Sequence, residues 1–338
     1  MMNIDWIARL PKFDLHVHLD GSLRPETVAE FAEEPPVGKR FPSSLNVQRA
    51  VVPPQRCSLE TYLRAFKITV ALLQTQATLE RAAYELCEDA AKENVIYLEI
   101  RFAPLLHLRE GLTPARVVEA VLSGMNRAKK TYSIRTGLIL CAMKQESPEK
   151  ALEVARLAAQ YVDRGVVAID LAGPERNFPP SRHRQAIEIA READLHVTIH
   201  AGEGCCPEQI KEAIDLGADR IGHGVYLYQD KKTECRVAEL GIPLEICPTS
   251  NLQISGIMNT YADHPLKRYL DRGIRVTLNT DNRLMSQTNS TNELEQVINA
   301  FALAPHNVKQ VLNNSARAAF VPEESQLHFL ATIDAAFA

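Results

Sequence analysis

Eight short apolar runs, separated by longer amphipathic stretches, constrain this 338-residue chain more than any other feature of it. The runs are FDLHVHLD (13–20), VIYLEIRF (95–102), IRTGLILCAM (134–143), VVAIDLAG (166–173), HVTIHAGE (196–203), RIGHGV (220–225), PLEICPTSN (243–251) and VTLNTDN (276–282). Most are rich in Val, Ile and Leu without strict alternation, the pattern of strands buried on both faces. Stretches such as TPARVVEAVLSGMNRAKKT (113–131) and PEKALEVARLAAQYVDR (148–164) carry apolar residues at helical spacing between them. Strands that alternate with helices pair in parallel, and eight of them predict an α/β chain closed into a TIM (β/α)8 barrel. No linker divides the sequence, so residues 1–338 are expected to form one domain. The Pro-containing stretch from 33 to 56 reads as a long, lid-like insertion after the first strand.

The unusual residues fall at the ends of these runs. His16 and His18 stand two apart on the first, so both side chains point to one face. His200 and Glu203 end the fifth run, His223 lies late in the sixth, and Asp281 closes the eighth. In a barrel the C-terminal strand ends converge on one face, where active sites are built. Three imidazoles and a carboxylate suit a zinc ion with an open position for water. Any one of these histidines alone reads as an ordinary buried, hydrogen-bonded residue; it is their placement at separate strand ends that points to a metal. Glu203 is spaced to reach a substrate without binding the metal, and His223 to orient or deprotonate the water. The fourth run has no lysine of the kind that bridges two metals in many barrel hydrolases, so one ion is expected. His107, His183, His196, His264, His306 and His328 lie outside this pattern and read as surface or capping residues.

Net charge is −4, and Lys and Arg are scattered without a basic stripe, so no nucleic-acid or anionic-membrane partner is expected. The seven cysteines contain no CxxC and no framework spacing, which suits reduced thiols in a cytoplasmic protein. The N-terminus lacks the apolar core of a signal peptide.

In family order, LPKFDLHVHLDGSL, DLAGPE, HAGE, GHGV, CPTSN and NTDN make the chain resemble the adenosine deaminase branch of the metal-dependent amidohydrolase superfamily. The resemblance implies hydrolytic deamination of adenosine and 2′-deoxyadenosine, with one zinc bound by His16, His18, His200 and Asp281. It implies that Glu203 protonates purine N1, that hydroxide attacks C6 and ammonia leaves, and that His223 steers the attack. It further implies substrate contacts from His18, from Asp20 to the ribose 5′-hydroxyl, and from the Gly173 amide to purine N3. The family pattern usually has a second Asp where this chain has Asn282, whose amide can still donate to purine N7. Leu59, Tyr62, Leu63 and Phe66 match a family gate over the ribose, or an ordinary core stripe. Deamination of adenine, or of a modified nucleoside such as aminodeoxyfutalosine, is the alternative activity. A binding protein on a dead scaffold would have lost a ligand or the acid, and all five are present. The sequence carries no sign of oligomeric state.

Overall fold

The computed structural model describes residues 4–33, 46–254 and 258–338. Its eight strands are β1 (Lys12–His18), β2 (Val95–Phe102), β3 (Arg135–Met143), β4 (Val166–Ala172), β5 (His196–Ala201), β6 (Arg220–His223), β7 (Leu244–Ile246) and β8 (Val276–Leu278). They lie in chain order in one sheet, each neighbouring pair parallel. The runs that lack alternation are buried on both faces, between the barrel interior and the outer helices.

The ring closes just past the end of β8. A parallel bridge joins Val17 to Asp281. The His18 N–H donates to Asp281 O at 2.7 Å and the Asp281 N–H to His16 O at 2.8 Å. Nearer the strand, Asn279 Oδ1 accepts the Leu15 N–H at 2.9 Å, so a side chain supplies part of the ladder. The last apolar runs prove shorter as strands than they read. Pro248 starts a helix, Pro248–Ile254, immediately after β7, because proline at the first helical position has no N–H to leave unpaired. Of the lid-like insertion, residues 34–45 lie outside the described residues, and the rest contains a helical turn, Val47–Ala50.

An ionic column fills the barrel's axis. Arg101 donates to Asp170 at 3.1 Å, to Glu245 at 2.9 Å and to Leu15 O at 2.7 Å. Below it, Arg220 pairs with Glu245 at 2.6 Å and with Glu99. Arg220 also donates to Ala318 O at 2.7 Å, and its guanidinium lies 3.5 Å from the Phe320 ring centroid, so the segment after helix Pro305–Ala318 plugs the barrel floor. Removing one partner from such a network strands a buried charge. Arg220→Met is therefore expected to cost about 3–5 kcal/mol of stability, read as a lower denaturant midpoint. A midpoint equal to wild type would show that the column is not what holds the floor.

Candidate active site

His16 and His18 of β1, His200 of β5 and Asp281 beyond β8 each bring one donor atom to within 4.8 Å of the others, and all four are buried. The orientation of two of the rings follows from what stands behind them. His16 Nδ1 lies 2.7 Å from Glu245 Oε2, and His200 Nδ1 lies 2.9 Å from Asp170 Oδ2. An ionised carboxylate only accepts, so each ring carries its proton on Nδ1 and leaves Nε2 bare. The His16 and His18 Nε2 atoms each lie 3.4 Å from Asp281 Oδ1, and the Nε2 atoms of His18 and His200 are 3.2 Å apart. His16 Nε2 has no hydrogen-bond partner among the described residues.

Buried lone pairs facing one another are unfavourable unless a cation stands between them. Burial and the Arg101 guanidinium hold His16 well below the usual imidazole range, and burial and His200 do the same for His18. Neutral imidazole is the ligand form. Three nitrogens and one carboxylate oxygen thus fit a divalent transition-metal ion, with Asp170 and Glu245 as the carboxylates that orient its histidines. Burial would raise Asp170, but His200 and Arg101 outweigh it and hold the group ionised.

Asp281 and His223 both have left-handed backbone, with φ of 59° and 64°. Non-glycine residues adopt that region uncommonly, and such strain concentrates at functional sites. The two bonds to β1 hold Asp281 in place, and Ser250 Oγ donates to its Oδ2 at 2.5 Å, leaving Oδ1 turned to the histidines. Burial raises the Asp281 carboxyl to about 6.

Glu203 is buried, and its Oε1 lies 3.5 Å from His223 Nε2. Burial first, then the charges of Asp281 and Glu175, push its carboxyl well above the usual range, which favours the protonated acid. Its loop is clamped from below. The Glu175 carboxylate accepts the N–H groups of Glu203 at 3.1 Å and of Gly204 and Cys205 at 3.0 Å each. Lys144 Nζ lies 3.8 Å from the same carboxylate and donates to His200 O at 2.6 Å.

Above these groups is a cavity of about 490 Å³, lined by His18, Asp20, Gly173, His200, Glu203, Asp281 and Asn282 among others. His16 and His223 lie beneath it. Burial raises Asp20 to about 7, and its Oδ1 has no partner among the described residues. Gly173 has φ of +102°, a conformation that L side chains rarely adopt. A Cβ on Gly21 would stand 1.8 Å from Asn282 Oδ1, so that glycine lets Asn282 reach the cavity wall. Tyr62, Leu63 and Phe66 line the cavity, whereas Leu59 packs against Gly204; the stretch is neither a plain gate nor a plain core stripe.

Every residue singled out from the strand ends therefore lies in or just beneath one cavity. Asp170, Glu245, Ser250, Asn251 and Glu175 have no place in the strand-end pattern. Their signal was a polar or charged residue inside or just past an apolar run. His107, His183 and His264 are not surface residues: all three are buried, bonding Leu73 O, Lys144 O and Asn251 Oδ1. His196, His306 and His328 are exposed. Among the described residues no helix is long and apolar enough to cross a membrane.

The chain is similar to known proteins along nearly its whole length. The family model for adenosine deaminase matches residues 11–336. An adenosine deaminase of Clostridium kluyveri is 42% identical over 326 residues, covering 96% of this chain and 93% of that one. Among solved structures, an N6-mAMP deaminase from Arabidopsis superposes with a TM-score of 0.90 at 28% identity, over 98% of this chain and 99% of the other. The adenine deaminase of Arthrobacter aurescens does so with a TM-score of 0.88 at 25% identity, over 96% and 98%.

Proposed function

Because the chain belongs to the adenosine deaminase family, we propose that it hydrolyses adenosine and 2′-deoxyadenosine to inosine, 2′-deoxyinosine and ammonia, with one zinc ion held by His16, His18, His200 and Asp281. The observation that carries this reading is a buried Glu203, its carboxyl raised by that burial, beside a set of converging bare nitrogens, at the floor of a cavity of small-molecule size. When bound, zinc makes a water molecule nucleophilic near neutral pH.

The protein's own groups do the rest. Glu203 gives its proton to purine N1, which draws electrons from C6 and opens that carbon to attack. His223 faces the reacting centre beside Glu203. Asn282 donates its amide N–H to N7, the Gly173 amide donates to N3, and His18 borders the ring. Asp20 accepts from the ribose 5′-hydroxyl and, buried with no cation paired to it among the described residues, disfavours a 5′-phosphate. A second reading, a related 6-aminopurine compound with an outer anionic group, draws on Arg64, Lys67 and Arg109 at the cavity.

A panel of adenosine, 2′-deoxyadenosine, adenine and AMP separates the two. The two nucleosides are expected to exceed adenine and AMP in kcat/KM by at least about 10²-fold, because a site built for a substrate hydroxyl discriminates against compounds that lack it. Turnover of adenine or AMP without turnover of adenosine would reject the assignment.

A further inference from the structure

Two backbone amides, which can only donate, fix the protons of three side chains behind the site. The Leu266 N–H donates to His264 Nδ1 at 3.0 Å. That nitrogen is therefore bare, and the ring's single proton sits on Nε2. His264 Nε2 lies 3.2 Å from Asn251 Oδ1 and donates to it. The Cys247 N–H donates to the same atom, also at 3.2 Å. Two donors on one atom identify it as the carbonyl oxygen, so the amide orientation is set by its bonding. The Asn251 Nδ2 group then faces His223 Nδ1 at 2.9 Å. An amide nitrogen has only N–H to offer, so it donates, and His223 Nδ1 is bare. The same contact excludes the imidazolium, whose Nδ1–H would confront a second donor. The His223 proton is on Nε2, which points toward Glu203 and has no hydrogen-bond partner among the described residues. All three side chains are buried.

We infer that Asn251 and His264 are positioning residues that lock His223 as the Nε2–H tautomer, so that His223 enters the active site as a hydrogen-bond donor. Its Nε2 is the reverse of those of His16 and His200, which carboxylates behind them leave bare. This separates His223 from the metal-binding set, although its donor atom lies within 4.8 Å of Glu203 and Asp281 oxygens. It also narrows the chemistry: His223 holds the oxygen that attacks C6 and offsets its charge, and does not take its proton. The assignment of what His223 faces rests on the proposed deamination; the tautomer itself does not.

The test is nitrogen-15 NMR of the histidine rings in the zinc-loaded protein, with Asn251→Asp alongside. In the unaltered protein His223 is expected to be protonated on Nε2 and bare on Nδ1. In Asn251→Asp the carboxylate accepts where the amide donated. The proton should move to Nδ1, and kcat on adenosine should fall about 10²–10³-fold, the cost of losing one donor at a developing charge. KM and metal content should stay within about threefold, a split that general loosening of the fold would not give. His264→Phe removes one link and should cost about tenfold or more in kcat, as second-layer changes do. Protonation of wild-type His223 on Nδ1 overturns the relay, and that measurement stands alone if Asn251→Asp does not fold. A reversed tautomer with unchanged kcat overturns the role given to the donor. Failure of the deaminase reading would show separately, as a zinc-loaded, unaltered protein inert toward adenosine.

Discussion

Replacing Glu203 by glutamine is expected to lower kcat about 10²–10⁴-fold while the metal stays bound, since a positioned proton donor contributes that much. Glutamine keeps the shape of the side chain and the three amide bonds its loop makes to Glu175. What it removes is the acidic proton. The wild-type pH profile should carry the same signature. A carboxyl raised by burial keeps its proton to higher pH, so turnover is expected to fall as pH rises through the shifted value. In Glu203→Gln that alkaline limb should disappear. Near-normal turnover, or an unchanged limb, would end the role of Glu203 as the donor to N1.

The second large effect is expected at Asp281. Asp281→Ala removes the oxygen to which the His16 and His18 nitrogens turn, and the Ser250 hydroxyl loses its acceptor. Metal should no longer be retained through purification. Turnover should drop by more than about 10³-fold, because the metal lowers the pKa of water from about 15.7 to about 7. Asp170→Asn gives a graded comparison. It leaves all four donors in place but weakens the acceptor behind His200, and should cost about 10–100-fold in metal affinity or activity. Full metal content in Asp281→Ala would show that the ion sits elsewhere.

How much of this was legible in the sequence depended on whether a residue's meaning is local. The eight strands were readable because runs buried on both faces keep their apolar character along their length. His16 and His18 were readable because a spacing of two on a strand fixes a common face, and strand ends in a closed barrel meet whatever their separation in sequence. Asp170 and Glu245 stood in the quoted runs, yet their partners lie on other strands, 30 and 229 residues away. Which strand faces which across a barrel depends on register, which no single run encodes. His264 shows the same limit. It does cap the Leu266 amide, as a capping residue should, but its second bond reaches Asn251, 13 residues earlier in the chain, and makes it a buried link. The end of the seventh run differs for a local reason: the run reads on through CPTSN, while Pro248 already begins a helix.

The most direct measurement of the central claim is metal reconstitution on one preparation. The protein is stripped with a chelator, titrated with zinc, and assayed at each point for metal content and for conversion of adenosine to inosine and ammonia. Activity absent in the stripped protein and rising linearly to a plateau at one zinc per chain is the predicted result. Full adenosine turnover without metal, a plateau only at two ions per chain, or a zinc-loaded protein inert toward adenosine would contradict it.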